Sequence, residues 1–282
     1  MRRRIADRAG CAYSFRQFAR WVLLAYTTRM ESAQRIALVT GAGSGIGRAI
    51  ARRLAADGAR VAAADINDAA ANETVKLIAD ARASALALHL DVTDFDQVKR
   101  AVGELQDRWG DVDILVNNAG WDRVQPFVEN TPDLWQKVIA INLSGPIHCC
   151  RAVLDGMIAR RRGKIISIGS DAGRVGSSGE AVYSACKGGI IAFSKTLARE
   201  LARYRINVNV VAPGPTDTPL LQEITHGPDG AKIIEAMTRA VPFRRLATSE
   251  EIAAAVAFFA SPDADFITGQ VLSVSGGLTM TG

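Results

Sequence analysis

Seven short apolar runs, rich in β-branched residues, recur along the chain: Ile36 to Thr40, Arg60 to Asp65, Ala85 to Asp91, Ile114 to Asn117, Lys164 to Ile168, Ile206 to Val211 and Gln270 to Val274. The segments between them repeat apolar residues at spacings of three and four, as in Val98, Val102 and Leu105, the mark of helices packed by one face. Because the runs are apolar throughout rather than alternating, each strand is expected to be buried on both sides. Such a series predicts an α/β fold of the Rossmann, doubly wound type, with a seven-stranded, mainly parallel sheet and helices on both faces. No Pro/Gly linker, internal repeat or low-complexity run divides it, so residues 30–282 are read as a single domain.

The formal charge of +5 and pI near 9.2 would suggest nucleic acid or an acidic membrane surface if the charge were evenly spread. It is not. Residues 1–29 hold seven arginines and one acid, Asp7, for a local charge of +6, which leaves the remainder at −1. Neither nucleic acid nor membrane is therefore expected as a partner. Met30 directly precedes the first strand pattern, so the 1–29 extension is read as the product of a start placed too early, with an organelle-targeting segment as the other reading. The apolar run Trp21 to Tyr26 is far shorter than the roughly 20 residues of a membrane span. Cys11, Cys149, Cys150 and Cys186 lack metal-binding spacing, and the adjacent pair suits a buried helix in a reducing compartment, so a cytoplasmic location is expected. His89, His148 and His226 are scattered, and no metal is expected.

Directly after the first run stands Thr40-Gly41-Ala42-Gly43-Ser44-Gly45-Ile46-Gly47, leading into a helical pattern. Glycines there permit a tight turn and bring backbone amides, with a helix N-terminus, up to a pyrophosphate. The spacing is G-x-x-x-G-x-G rather than G-x-G-x-x-G, so context has to support it. Asp65, 18 residues after Gly47 at the end of the second run, is placed to accept hydrogen bonds from the ribose hydroxyls and to repel a 2′-phosphate. Positions 44 and 66 carry Ser44 and Ile66, so no cation awaits that phosphate, and NAD is expected over NADP. The competing role for Asp65 is to cap the turn at Asn67 and Asp68.

Farther along come Asn117-Asn118-Ala119-Gly120, then Ser170, then Tyr183 and Lys187 four residues apart within a helical pattern from Val182 to Leu201. A spacing of four puts phenol and ammonium on one helix face, where the cation favours phenolate. Tyr183 is then suited to take a proton from an alcohol or give one to a carbonyl, with Ser170 hydrogen-bonding the same oxygen. With the glycine loop, these motifs resemble the short-chain dehydrogenase/reductase family over Arg35 to Gly282. The resemblance implies an NAD-dependent enzyme in which Asn142 completes a proton relay through a water to Lys187. It also implies cofactor contacts from Gly41, Ser44, Gly45, Ile46, Gly47, Asp65, Asp91, Val92, Asn118, Ala119, Gly120, Tyr183, Lys187, Pro213, Gly214, Thr216 and Thr218. A homotetramer is a further implication.

Three segments carry distinctive text: NNAGWDRVQPF from Asn117, SDAGRVGSSGEAVYSACKGG from Ser170, and the tail FITGQVLSVSGGLTMTG. They resemble family members that oxidise the ring alcohol of 2-hydroxycyclohexane-1-carboxyl-CoA to the 2-keto ester. On that reading Trp121 walls an alicyclic ring, while Arg123 and Arg174 meet the CoA phosphates or thioester side. The alternatives are a 3-hydroxyacyl-CoA dehydrogenase or 3-oxoacyl-carrier-protein reductase, against which Asp65 argues, and a dehydrogenase of free cyclic or sugar alcohols. A dinucleotide-sensing binding protein is the non-enzymatic alternative, disfavoured by the intact Ser170, Tyr183, Lys187 and Asn142.

Overall fold

Successive residues of a strand point to opposite faces, and here both faces are apolar. In the first strand Leu38 enters one core with Ala62, Leu115, Ile165 and Val208, while its neighbour Val39 enters the other with Ala63, Val116, Ile166 and Val211. This computed structural model describes residues 34–227 and 230–281. The 1–29 extension and Cys11 therefore lie outside the described residues.

The strands are β1 (Ile36–Thr40), β2 (Arg60–Asp65), β3 (Ala85–His89), β4 (Ile114–Asn117), β5 (Gly163–Ile168), β6 (Ile206–Pro213) and β7 (Val271–Val274). They form one parallel sheet in the order β3-β2-β1-β4-β5-β6-β7, with Leu38 of β1 opposite Ala62 of β2 on one side and Leu115 of β4 on the other. The chain reverses direction across the sheet between β1 and β4, which is where doubly wound sheets open a crevice. Helices α1 (Gly45–Ala56) and α2 (Asp68–Asp80) follow β1 and β2, and α3 (Phe95–Trp109) follows β3. Beyond β4 come α4 (Pro132–Ile139), α5 (Gly145–Arg160), the short α6 (Ala172–Val175), α7 (Ala181–Leu201), α8 (Pro219–Ile224), α9 (Gly230–Ala240) and α10 (Ser249–Ala260). Residues of α1 and α10 fill one core, and those of α3, α5 and α7 the other.

Differences from the expected boundaries are small and have local causes. Strand β3 stops at His89 rather than Asp91, because at this sheet edge the chain turns, and Asp91 accepts hydrogen bonds from the Thr93 amide and hydroxyl at 2.9 and 2.7 Å. Strand β6 runs on to Pro213, whose carbonyl accepts from the Asp171 amide at 3.0 Å. Between α4 and α5 the helix widens into a π-helical turn over Ala140–Ser144. Asn142 sits there, fully buried, and its side-chain amide donates to Val138 O one turn back and to Trp121 O across the loop. An inserted side chain of this kind is a known cause of helix irregularity. Cys149 and Cys150 are buried on α5, and burial pushes the Cys150 thiol up to about 12. Among the described residues no helix is long and apolar enough to cross a membrane, and no cluster of ligands could hold a metal ion.

Candidate active site

A cleft of about 1080 Å³ runs along the C-terminal ends of the strands, larger than the usual several hundred Å³ of a drug-sized site. Its walls come from the segments that follow β1 (Gly41), β2 (Asp65), β3 (Asp91), β4 (Asn118), β5 (Ser170) and β6 (Pro213).

At the dinucleotide end, short contacts build the wall. Gly41 adopts φ +62°, a left-handed conformation suited to glycine, and turns the chain from β1 into the loop. A methyl group on Gly47 would come within 2.0 Å of Gly41 O, so helix and turn close on each other only without one. Asn118 locks the same turn: its side-chain amide donates to Thr40 O at 3.0 Å and to Gly41 O at 3.1 Å. The first turn of α1 starts from Ser44, which supplies no side-chain capping bond; the turn itself holds no acidic residue, and Ser44, Gly45, Ile46 and Gly47 line the cleft. Elsewhere Asn67, Asp94, Thr131, Thr218 and Thr248 cap their own helices. Uncapped amides on a positive helix end, in a glycine cradle, fit a pyrophosphate.

Asp65 has both of the roles weighed from the sequence. One carboxylate oxygen accepts from the Asn67 amide at 2.9 Å and caps the turn, while the other accepts from the Gly43 amide at 2.8 Å at the rim of the cleft. Carboxylate oxygens have lone pairs enough to accept further bonds from a ribose. Ser44, Gly45, Ile46, Val92, Ala119, Gly120, Gly214, Thr216 and Thr218 all line the cleft as well. Asn117 does not; it is buried between strands, donating weakly to Ser167 Oγ and Cys150 Sγ at 3.4 Å.

At the other end α7 presents Tyr183 and Lys187. Ser170 lines the cleft beside Tyr183 and accepts from the Ala172 amide at 3.1 Å, and the Lys187 ammonium, only 4% exposed, donates to Ile168 O at 2.9 Å. The ammonium stands 5.4 Å from the centre of the Tyr183 ring. Gly120 faces both Asn142 Oδ1 and Lys187 Nζ; a Cβ built on it would lie 3.0 and 3.6 Å from them. Asn142 Oδ1 is buried with no partner among the described residues, an acceptor left open beside a donor.

The sequence argument that Lys187 favours the phenolate needs correction for this state. Burial pushes the Tyr183 phenol well above its usual value, the carboxylates of Glu180 and Asp122 push it further, and the neighbouring Ser170 hydroxyl opposes them. Burial likewise lowers the Lys187 ammonium to about 8. Both charged forms lose hydration in the same dry spot, so the pair alone does not create a base.

Arginines expected on the substrate side stand elsewhere. Arg174 donates to Ser273 Oγ at 2.8 Å and to the carbonyl of Thr281, and Ser273 in turn donates to Asp171 at 2.6 Å. Its guanidinium thus binds the C-terminal segment instead of lining the cleft. Arg123 is exposed outside the cleft, 5.9 Å from the Trp121 ring centre. Trp121 does line the cleft, with the Lys137 ammonium 3.7 Å over its ring. Lys137, Asp171, Glu180, Leu278 and Thr279 also line it and were missed from sequence. Glu180, three residues before Tyr183, had a local signal; Lys137, which lies over the Trp121 ring, and the tail after β7 did not.

Comparison with known proteins agrees with this geometry. A family model described as enoyl-(acyl carrier protein) reductase matches residues 41–279. The 3-oxoacyl-[acyl-carrier-protein] reductase of Escherichia coli is 42% identical over 252 residues, covering 89% of this chain and all of that protein. The sorbitol dehydrogenase of Cereibacter sphaeroides is 41% identical over 255 residues, 88% of this chain and 98% of the other. Among solved structures, an actinorhodin polyketide ketoreductase variant with NADPH superposes with a TM-score of 0.83 at 36% identity, covering 87% of this chain and 97% of that one. Levodione reductase gives 0.84 at 32% identity, with 86% and 96% covered.

Proposed function

This chain belongs to the short-chain dehydrogenase/reductase family, and from that premise we propose that it interconverts a β-hydroxyacyl and a β-oxoacyl thioester using NAD(H). The observation that carries the reading is the convergence of Ser170, Tyr183 and Lys187, with Asn142 buried behind them at Gly120, at one end of a cleft whose other end is a glycine cradle. The thioester is favoured by the similarity to a 3-oxoacyl-carrier-protein reductase, which was the alternative from sequence. The narrower expectation of an alicyclic CoA ester draws no support from these relatives; it survives as the subclass in which Trp121 walls the ring. NAD is favoured over NADP by the Asp65 carboxylate at the rim and by Ser44 and Ile66, where a cation would be needed, although the ketoreductase neighbour holds NADPH. A cytoplasmic location and a homotetramer belong to the same proposal.

When bound, an oxidised nicotinamide supplies the hydride acceptor and a positive charge near Tyr183. Tyr183 would then, as phenolate, accept the proton of the substrate hydroxyl in oxidation, or, as phenol, donate its own to the carbonyl oxygen in reduction. Ser170 hydrogen-bonds that oxygen as its charge changes. Lys187 would hold the nicotinamide-side ribose and pass the proton toward solvent through a water held by the acceptor left open on Asn142.

The test is reduced-nicotinamide absorbance with 3-hydroxyacyl-CoA esters, 2-hydroxycyclohexane-1-carboxyl-CoA, sorbitol and free cyclic alcohols, each with NAD and with NADP. Turnover confined to thioesters is expected; turnover of free polyols alone would overturn the thioester assignment in favour of the sorbitol-dehydrogenase relative. Tyr183→Phe is expected to lower kcat by about 10²–10⁴-fold, the typical contribution of general acid–base catalysis, with cofactor binding retained by fluorescence titration.

A further inference from the structure

Two carboxyl groups, one buried and one partly exposed on the cleft wall, meet beside Tyr183, and the mechanism above makes no use of them. Asp122 follows Trp121 in the loop after β4; it is 6% exposed, and its Oδ2 is buried with no partner among the described residues. Glu180 lies one residue before α7 and lines the cleft. The two loops are clipped together, the Gln125 amide donating to Gly179 O at 3.0 Å. Val124 Cγ1 presses on Gly179, 2.9 Å from where a Cβ would stand. The Asp122 carboxyl thereby comes within hydrogen-bonding reach of the Glu180 side chain.

Ionised carboxylates only accept, so a bond between them needs a proton on one. Resting on the dehydrogenase reading, we propose that Asp122 and Glu180 share one proton as a carboxyl pair, and that this pair is a positioning element that sets the pH at which Tyr183 exchanges its proton. The groups facing Asp122 are Glu180, then Tyr183, Cys186 and Lys187 on α7, and the Arg123 amide of its own loop. Burial, reinforced by Glu180, pushes Asp122 up to about 7, while the Arg123 amide and the Lys187 ammonium oppose the rise. Below that pH the pair carries one negative charge; above it, two. The second charge disfavours the Tyr183 phenolate and favours the Lys187 ammonium. Loss of the shared proton thus holds Tyr183 protonated to higher pH.

Asp122→Asn keeps a donor to Glu180 and fixes the pair at one charge. The limb of kcat/KM for oxidation that reports Tyr183 ionisation is expected to move to lower pH by about one unit. Glu180→Gln moves it the same way. Independently of turnover, wild-type enzyme at about pH 6, well above the ordinary carboxylate range, shows the infrared carbonyl stretch of a protonated carboxyl. That band titrates away near neutrality and is absent from Asp122→Asn. A limb stationary in both variants, or a wild type lacking the band, overturns the pair; should Asp122→Asn not fold, a band that titrates away at lower pH in Glu180→Gln supports it and an unchanged titration overturns it. Wild type that turns over none of the test alcohols sinks the dehydrogenase reading, and the infrared titration still decides the pair.

Discussion

The two ends of the cleft are built differently. At the dinucleotide end the wall is backbone: Gly41, Gly47 and the first turn of α1, held by short side chains such as Asn118 and Thr40 that bond the backbone next to them. At the substrate end long side chains from distant segments make the wall, with Trp121 and Lys137 on one side and Val175, Glu180 and Leu278 on another. A backbone cradle tolerates no added atom, whereas a side-chain wall changes shape with each substitution. One fold can thus keep a dinucleotide cradle and vary its substrate.

Three substitutions sharpen or break this contrast. The largest effect is expected from Gly47→Ala, whose Cβ would stand 2.0 Å from Gly41 O. Overpacking of this kind costs about 1–3 kcal/mol, so thermal unfolding should shift down and dinucleotide affinity, by calorimetry, should fall sharply. An unaltered affinity would mean that the cradle is not rigid.

Next is Asp65→Ala. Hydrogen bonds to a charged group contribute about 1.5–3 kcal/mol, so the ratio of kcat/KM for NAD over NADP should drop at least about tenfold. An unchanged ratio would leave Asp65 only its turn and the Gly43 bond.

Arg174→Ala should have the smallest effect, and one opposite to that expected from sequence. Because Arg174 holds Ser273 and the Thr281 carbonyl, its loss is expected to cost about 1 kcal/mol in denaturant unfolding while the KM for CoA esters relative to shorter thioesters stays level. A selective rise for CoA esters would return Arg174 to the substrate side.

Much of this was legible from residue order alone. Periodicity placed β1, β2 and β4 to the residue, since a strand buried on two faces cannot conceal its apolar character. The glycine loop and Asp65 were legible because they sit at strand ends, where a doubly wound sheet opens, and the other cofactor residues through the family resemblance. Asn142 was recognised as a candidate, but its π-helical turn was not, because that irregularity arises from a bond to Trp121 O, 21 residues away.

The chain's own order of residues thus determined the sheet, the glycine cradle and the placing of Tyr183 and Lys187 on one helix face, all governed by local pattern and the period of secondary structure, while Asn142 entered through the family resemblance. Only the tertiary structure decided which way the long charged side chains turned. Arg174 reaches the C-terminal segment, Lys137 lies over Trp121, and Asp122 meets Glu180 across two loops. The partners lie from 16 to 107 residues apart, beyond the reach of helix or strand periodicity, so burial and competing hydrogen bonds, rather than local pattern, place those charges.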